Sequence, residues 1–501
     1  MASGPTTAQP PNVSVAFAAA GCTVAALCIV ALRVDAGDPS ATARGLALCF
    51  LPYGVLLFAQ PPSGPLALRV SLCGATVAGV CMVACDSVLS DDVHRYLWDG
   101  RMWLSGRDAY ALPPDHASLS SLRTADFAHI NHSHIPTLYP PLSQALFALT
   151  AALWAHPAAF KLVALGCHLL TIVTVGRIAR SSPGADAGAR ATLLLSLNPL
   201  CLSEAALGGH VDAAVGLGVA ALALSLASNR TGRAIALTGA LAGLKLVGAV
   251  LMPLLWRLPR GRLAVGVALS LSLLGVVPPL TAGYGDDSSA AGLSHYAQRW
   301  RGNEGPFRLL EAVVAPIGPL LATGRPTAPI GPGELQLRFL QGPLSLWPTR
   351  NVFAEEGKAP RPPATFARAH VTFMLARGLS LALVFAIAVV AIRRRWSAPS
   401  ALRAVLWTLL LTSPQLHPWY LLWLLPVDIA LGKRAAILWS ATALIAYAPL
   451  TDWQLHRVWQ DSPWAIGLQY VPVIACLIIE MRGSTPSPTC GSPLTATTGT
   501  D

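Results

Sequence analysis

The chain has 501 residues, of which 53% are hydrophobic and only 12% charged, and its mean hydropathy is +0.54. Soluble domains carry about 25% charge, so this composition cannot clothe a water-facing surface; it also excludes disorder, which needs low hydrophobicity and high charge. The net charge of +11 would suggest nucleic acid in a soluble protein, but here it fits the Lys/Arg excess of membrane loops and headgroup contacts.

Apolar runs appear in chain order at 13–32, 45–59, 68–89, 142–154, 160–175, 191–202, 211–226, 234–255, 263–280, 371–392, 402–412, 421–431, 435–450 and 464–479. A spanning helix needs about 20 apolar residues, so some of these are short, and roughly 12–14 spans are expected. The first run lacks a basic leader and a cleavage signature, so it is expected to stay as a helix. Most of the ten cysteines lie inside the runs, where a thiol behaves as a small hydrophobe. Cys81 and Cys85 lie one helical turn apart but without zinc-site spacing.

Two long segments interrupt the pattern. Residues 90–139 hold ten charges and five histidines, and residues 281–370 hold sixteen charges. Polar irregular backbone cannot face hydrocarbon, so both belong at or beyond one interface. The clusters Arg257/Arg260/Arg262, Arg393–Arg395 and Lys433/Arg434 are concordant with a cytoplasmic placement. That orientation puts both polar segments outside. It also puts Arg177, Arg180 and Arg190 outside, against the same rule. The tail 484–501, rich in Thr, Pro, Gly and Ser, is expected to be disordered.

The densest chemistry begins as the third run ends: Asp91-Asp92-Val93-His94-Arg95-Tyr96-Leu97-Trp98-Asp99-Gly100-Arg101, with Trp103 beyond. Ionisable groups at a membrane boundary are costly unless paired or used. A solvated helix cap with i,i+4 pairs explains single residues. The aromatics interleaved with charge instead suit a sugar site, with Asp91 or Asp92 as general base. One pKa of the doublet would be raised by its like-charged neighbour. The segment continues through Gly106–Tyr110 and Ile130-Asn131-His132-Ser133-His134-Ile135-Pro136-Thr137-Leu138-Tyr139-Pro140-Pro141. His132 and His134 are weak metal candidates, and loop histidines are the simpler reading. Lys245 stands alone in an apolar run, where a cation is a functional candidate or one half of a pair with Glu204 or Asp212. His210 and Asp212 break another run. His417-Pro418-Trp419-Tyr420 breaks a third, and an interfacial Trp/Tyr belt does not account for its histidine.

These segments resemble the GT-C superfamily of membrane glycosyltransferases, and more narrowly its branch that uses polyprenyl-phosphate mannose. The resemblance rests on the D-x-x-R-Y-x-W-[DE]-G-R, G-x-[ND]-x-Y and I-N-H-x-x-x-P-T-x-Y-P-P segments, here 92–101, 106–110 and 130–141. Weaker pieces are Asn198-Pro199 with Glu204, Gly209–Asp212, Lys245, His295–Trp300 with Asn303 and Phe307-Arg308, and Ser413–Pro426. It implies an all-α polytopic membrane protein, a GT-C-like helix bundle with two extracytoplasmic segments, in a domain over 1–483. The implied reaction moves a hexose, mannose in this branch, from a polyprenyl-phosphate donor to a glycan or lipid acceptor outside a bacterial inner membrane. Asp92 matches the base position, with Asp91 beside it. Substrate contacts would come from Arg95, Tyr96, Trp98, Asp99, Arg101, Tyr110, His132, His134, Tyr139, His210, Asp212, Lys245, His295, Arg299, Trp300, Arg308, His417 and Tyr420. No cofactor beyond the donor is implied; metal is optional in the superfamily and no metal site is read. The competing reading is a polytopic transporter or flippase, against which stands the absence of two hydropathy-similar halves.

Overall fold

The computed structural model describes residues 13–35, 37–180, 184, 186–281, 296, 300–317, 334–335, 352–353, 363–456 and 462–482. It is an all-helical polytopic membrane protein; among the described residues the named strands are the two-residue pair Glu334–Leu335 and Val352–Phe353. The first half comprises α1 (Val13–Leu32), α2 (Pro39–Val55), α3 (Gly64–Val83), α4 (Asp92–Leu104), α5 (Pro141–Leu153), α6 (Pro157–Ala179), α7 (Ala187–Ser196), α8 (Pro199–Leu202), α9 (Asp212–Ala227) and α10 (Thr231–Leu244). The second comprises α11 (Val247–Leu251), α12 (Gly261–Thr281), α13 (Phe307–Val314), α14 (Pro363–Arg393), α15 (Ala398–Leu411), α16 (Leu421–Ala430), α17 (Ala435–Thr442), α18 (Leu450–His456) and α19 (Pro463–Arg482). Among the described residues, six helical stretches are long and apolar enough to cross a membrane: Val13–Leu32, Gly64–Val83, Pro157–Ala179, Val371–Arg393, Ala435–Trp453 and Pro463–Arg482. Six shorter apolar helices accompany them. The tail 484–501 lies outside the described residues.

Local chemistry sets the breaks between helices. Asp38 accepts from the Ala41 amide at the start of α2, Asn198 from Cys201 at the start of α8, and Ser397 from Ser400 at the start of α15. The inner core is formed by α6, α9 and α16, with α16 buried along its whole length. Gly216 lets α9 approach α16: a Cβ there would overlap the Leu422 carbonyl. The outer faces carry bare apolar side chains such as Leu51, Leu170 and Ile479, as lipid contact requires.

The bundle has two chemically distinct ends. At one, α9 begins and α10 runs into Lys245, which pairs with Asp212. The opposite end gathers the basic clusters. Arg257 donates to the carbonyls of Ala391 and Trp396, next to Arg393–Arg395. Arg403 bridges Asp428 and Glu480, and Glu480 accepts from the amides of Arg434 and Ala435. Arg434 lies over the Phe58 ring, while Arg190 donates to the carbonyls of Leu57 and Ala59 on either side of Phe58.

Arg190 therefore shares an end with Arg434, which corrects its expected place across the membrane. The cause is the run 142–154. As α5 it has 13 residues, about 20 Å of helix against a hydrocarbon core of about 30 Å. It does not cross but packs on α4: the Tyr96 and Phe147 rings stack at 4.4 Å, and Arg101 reaches the carbonyl of Ala155 just past the end of α5. Then α6 runs from Lys161, bonded to the Cys85 carbonyl near α4, toward Arg177 and Arg180 at the basic end. The run 234–255 is likewise not one span: it turns back at Lys245 between α10 and α11, so Lys245 and Arg257 lie at opposite ends, and with α5 not crossing, Arg177, Arg180 and Arg190 share the end of Arg257.

Candidate active site

Helix α4 starts at the doublet. Asp91 is the residue before its first turn, half-buried, and its side chain does not cap the helix. Asp92 opens the helix and aims inward. Its Oδ2 accepts from the Tyr96 hydroxyl at 3.2 Å and the Tyr139 hydroxyl at 3.3 Å, with His210 Nδ1 at 3.5 Å. Among the described residues Oδ1 accepts no hydrogen bond, and the side chain keeps 28% exposure. Burial alone would raise its pKa. The close His210 ring, with Lys245 and His417 nearby, outweighs this and holds the carboxyl well below the usual carboxylate range. The raised pKa expected from the doublet is absent at Asp92, because cations and donors surround it.

The inner wall comes from distant parts of the chain. A π-type turn, Ser203–Leu207, follows α8 and delivers Glu204 and then His210, both buried. Gly209, at φ +70°, makes the sharp step between them, and a side chain there would press on Lys161. The His210 ring stacks on Trp419 at 4.1 Å, and the other face of the aromatic stack continues to His417 at 4.2 Å from Trp419. Lys245 Nζ donates to both oxygens of Asp212, at 2.9 and 2.7 Å, and lies 4.7 Å from the Tyr420 ring centre. The Trp423 indole also donates to Asp212, at 2.8 Å, so the anion buried in the bundle has three hydrogen bonds. Tyr420 and Tyr296 share a hydroxyl contact at 3.0 Å.

Asp92, Tyr96, Tyr139, His210, Asp212, Lys245, His417 and Tyr420 are thus brought together. Other expected substrate contacts lie in the frame behind them. Asp99 is buried, receiving Arg95 Nε at 2.9 Å, Thr137 Oγ1 at 2.5 Å and Gln144 Nε2 at 3.0 Å. Trp98 is core, packed with Met102, Leu119 and Ile130. The Tyr110 hydroxyl donates to the Tyr139 carbonyl, and Arg101 holds Thr124 and Asp126. His132 and His134 are exposed on the loop before α5, where His132 packs 4.9 Å from Trp300. Arg308 is exposed at the start of α13, and His295 and Arg299 lie outside the described residues. Sequence reasoning missed Trp419, Trp423, Tyr296 and Tyr447 as wall residues. Tyr296, Trp419 and Trp423 fall inside the weaker resemblance pieces, but their aromatic character at a membrane interface is absorbed by the belt explanation; Tyr447 carries no signal beyond an apolar run.

The N-terminal domain of alpha-(1->6)-mannopyranosyltransferases matches residues 7–259. The chain belongs to this family. No curated protein and no solved structure matches it significantly. The matched half of this mannosyltransferase contains Asp92, Tyr96, Tyr139, His210, Asp212 and Lys245; His417, Trp419 and Tyr420 fold onto them from beyond it. The protein is a multi-pass membrane glycosyltransferase.

Proposed function

We propose that this mannosyltransferase moves mannose from a polyprenyl-phosphate donor to a hydroxyl of a glycan or lipid acceptor, forming an α-(1→6) linkage, with Asp92 as general base. The observation that carries the reading is one inward-facing carboxylate, open at Oδ1, beside a paired lysine and two histidines drawn from separate elements. In the reaction the acceptor oxygen attacks the anomeric carbon as its proton passes to Asp92. The bond from that carbon to the phosphate oxygen breaks, and the polyprenyl phosphate leaves with the electron pair. One displacement inverts the centre, so an α product calls for a β-linked donor. The transition state has oxocarbenium character, and the hydroxyl proton leaves late, so a weakly basic but fully ionised carboxylate suffices. Negative charge grows on the leaving phosphate, where Lys245 and His417 would supply charge-assisted hydrogen bonds. In this reading Asp212 and the Trp423 indole hold the ammonium ready, and the Tyr420 ring gives it a cation–π surface. The basic end faces the cytoplasm under the positive-inside rule, which places the reaction on the extracytoplasmic side.

The test is transfer by purified full-length protein from radiolabelled polyprenyl-phosphate mannose to a short mannoside, followed by linkage analysis. The reading expects an α-(1→6) product. Movement of a solute across liposome membranes without any sugar transfer would replace it by the transporter reading.

A further inference from the structure

Glu204 and Tyr447 have no part in the reaction as described, yet they are buried directly behind the base. His210 Nε2 lies 3.3 Å from Glu204 Oε2, and Glu204 Oε1 accepts from the Tyr447 hydroxyl at 2.7 Å. His210 is fully buried, and both its ring nitrogens sit at ion-pair distance from carboxylates without well-aligned hydrogen bonds. Its ring plane is fixed by stacking on Trp419. A buried imidazole between two carboxylates is expensive as mere filling. Apo hydrogen bonds at catalytic sites commonly tighten only when substrate is bound.

We propose that His210, braced by Glu204 and Trp419, is a positioning residue for Asp92: it grips Oδ2 and leaves Oδ1 turned toward the acceptor hydroxyl. The proposal rests on the reading of Asp92 as base. Three donors then converge on one oxygen, Tyr96 from α4 itself, Tyr139 from the loop before α5, and His210 from the step between the π-type turn and α9. The other charged or titratable groups facing this line are Lys245, Asp212, His417, Glu204 and Tyr447. Unlike these, His210 lies against Asp92 itself and is aimed by a second acid, Glu204. Glu204 fixes which way the ring can give its protons, as a carboxylate does for an orienting histidine.

The sign of the pH effect follows. His210 favours the ionised form of Asp92, so removing it raises the pKa of the base, and the acid limb of kcat/KM moves to higher pH. The experiment uses full-length protein in detergent with polyprenyl-phosphate mannose and a short mannoside. Wild type is expected to keep a flat kcat/KM down to about pH 4, near the ordinary aspartate value. His210→Gln is expected to lose about tenfold or more in kcat, with donor and acceptor KM within about twofold, and to show an acid limb above pH 5. His210→Asn, whose amide sits near the Nδ1 position, is expected to recover part of kcat but not the low limb. Glu204→Gln keeps the ring seated and removes its partner charge; it is expected to lower kcat at least about fivefold with unchanged KM values, and it decides the matter if the His210 variants do not accumulate as folded protein. Wild-type kcat and pH profile in folded Glu204→Gln, or in both His210 variants, overturns the proposal. Full activity in Asp92→Asn would instead overturn the base assignment beneath it.

Discussion

Lys245 shows how far a single residue can be read before its partners are known. Its isolation in an apolar run was legible, because an intramembrane cation is costly enough to need a reason. Its partner was narrowed only to Glu204 or Asp212, since chain distance says little about neighbours; the structure selects Asp212, 33 positions away. Lys245→Met leaves Asp212 as an uncompensated buried charge and is expected to destabilise the bundle by about 3–5 kcal/mol. Adding Asp212→Asn restores much of that stability without restoring transfer. Thermal unfolding in detergent and the transfer assay separate the two effects; a double variant as active as wild type would remove Lys245 from the phosphate site. Asp99 teaches the reverse lesson. The motif reading gave it to substrate, yet its three donors make it a strut between α4, the 137 loop and α5. Asp99→Ala strands Arg95, Thr137 and Gln144 and is expected to cost about 3 kcal/mol or more, lowering thermal stability in detergent before any pH dependence changes.

At the scale of elements, hydropathy found the apolar stretches but not which of them cross. Helix α5 is apolar on one face and buries Ser143, Gln144, Phe147 and Thr150 on the other. Hydropathy alone cannot separate such a short packed helix from a short span. Contact with α4 depends on Gly100, where a Cβ would overlap the Phe147 carbonyl and crowd Ala151. Gly100→Val is therefore expected to push α4 off α5, displace Asp92, and lower both transfer and melting temperature. Wild-type values for both would show that the α4–α5 packing does not position the site. The π-type turn at Ser203–Leu207 was equally hidden, because no sequence signal distinguishes it from an ordinary helical turn that would aim Glu204 elsewhere.

Over the whole molecule, the scarcity of charge becomes a map. Arg190, Arg257, Arg403 and Arg434 gather at one end, while Asp92, His210 and the Lys245–Asp212 pair form the other. The polytopic class was legible from composition, and the gathering of basic groups at one end from the three concordant basic clusters. The apparent exception of Arg177, Arg180 and Arg190 came from counting α5 as a crossing and the run 234–255 as a single span, although it turns back at Lys245. In intact cells and a cysteine-free background, Ser118→Cys is expected to react with a membrane-impermeant maleimide, whereas Arg180→Cys reacts only after permeabilisation. Labelling of Arg180→Cys from outside would contradict the shared end of Arg180, Arg190 and Arg434. Whether one carboxylate at the start of α4 takes the acceptor proton is decided by mannose transfer in the two single variants of the doublet. Asp92→Asn is expected to lose about 100-fold or more in kcat with a near-normal donor KM, while Asp91→Asn stays within severalfold of wild type. Retained transfer in Asp92→Asn, or selective loss in Asp91→Asn, would contradict the assignment of Asp92 as base.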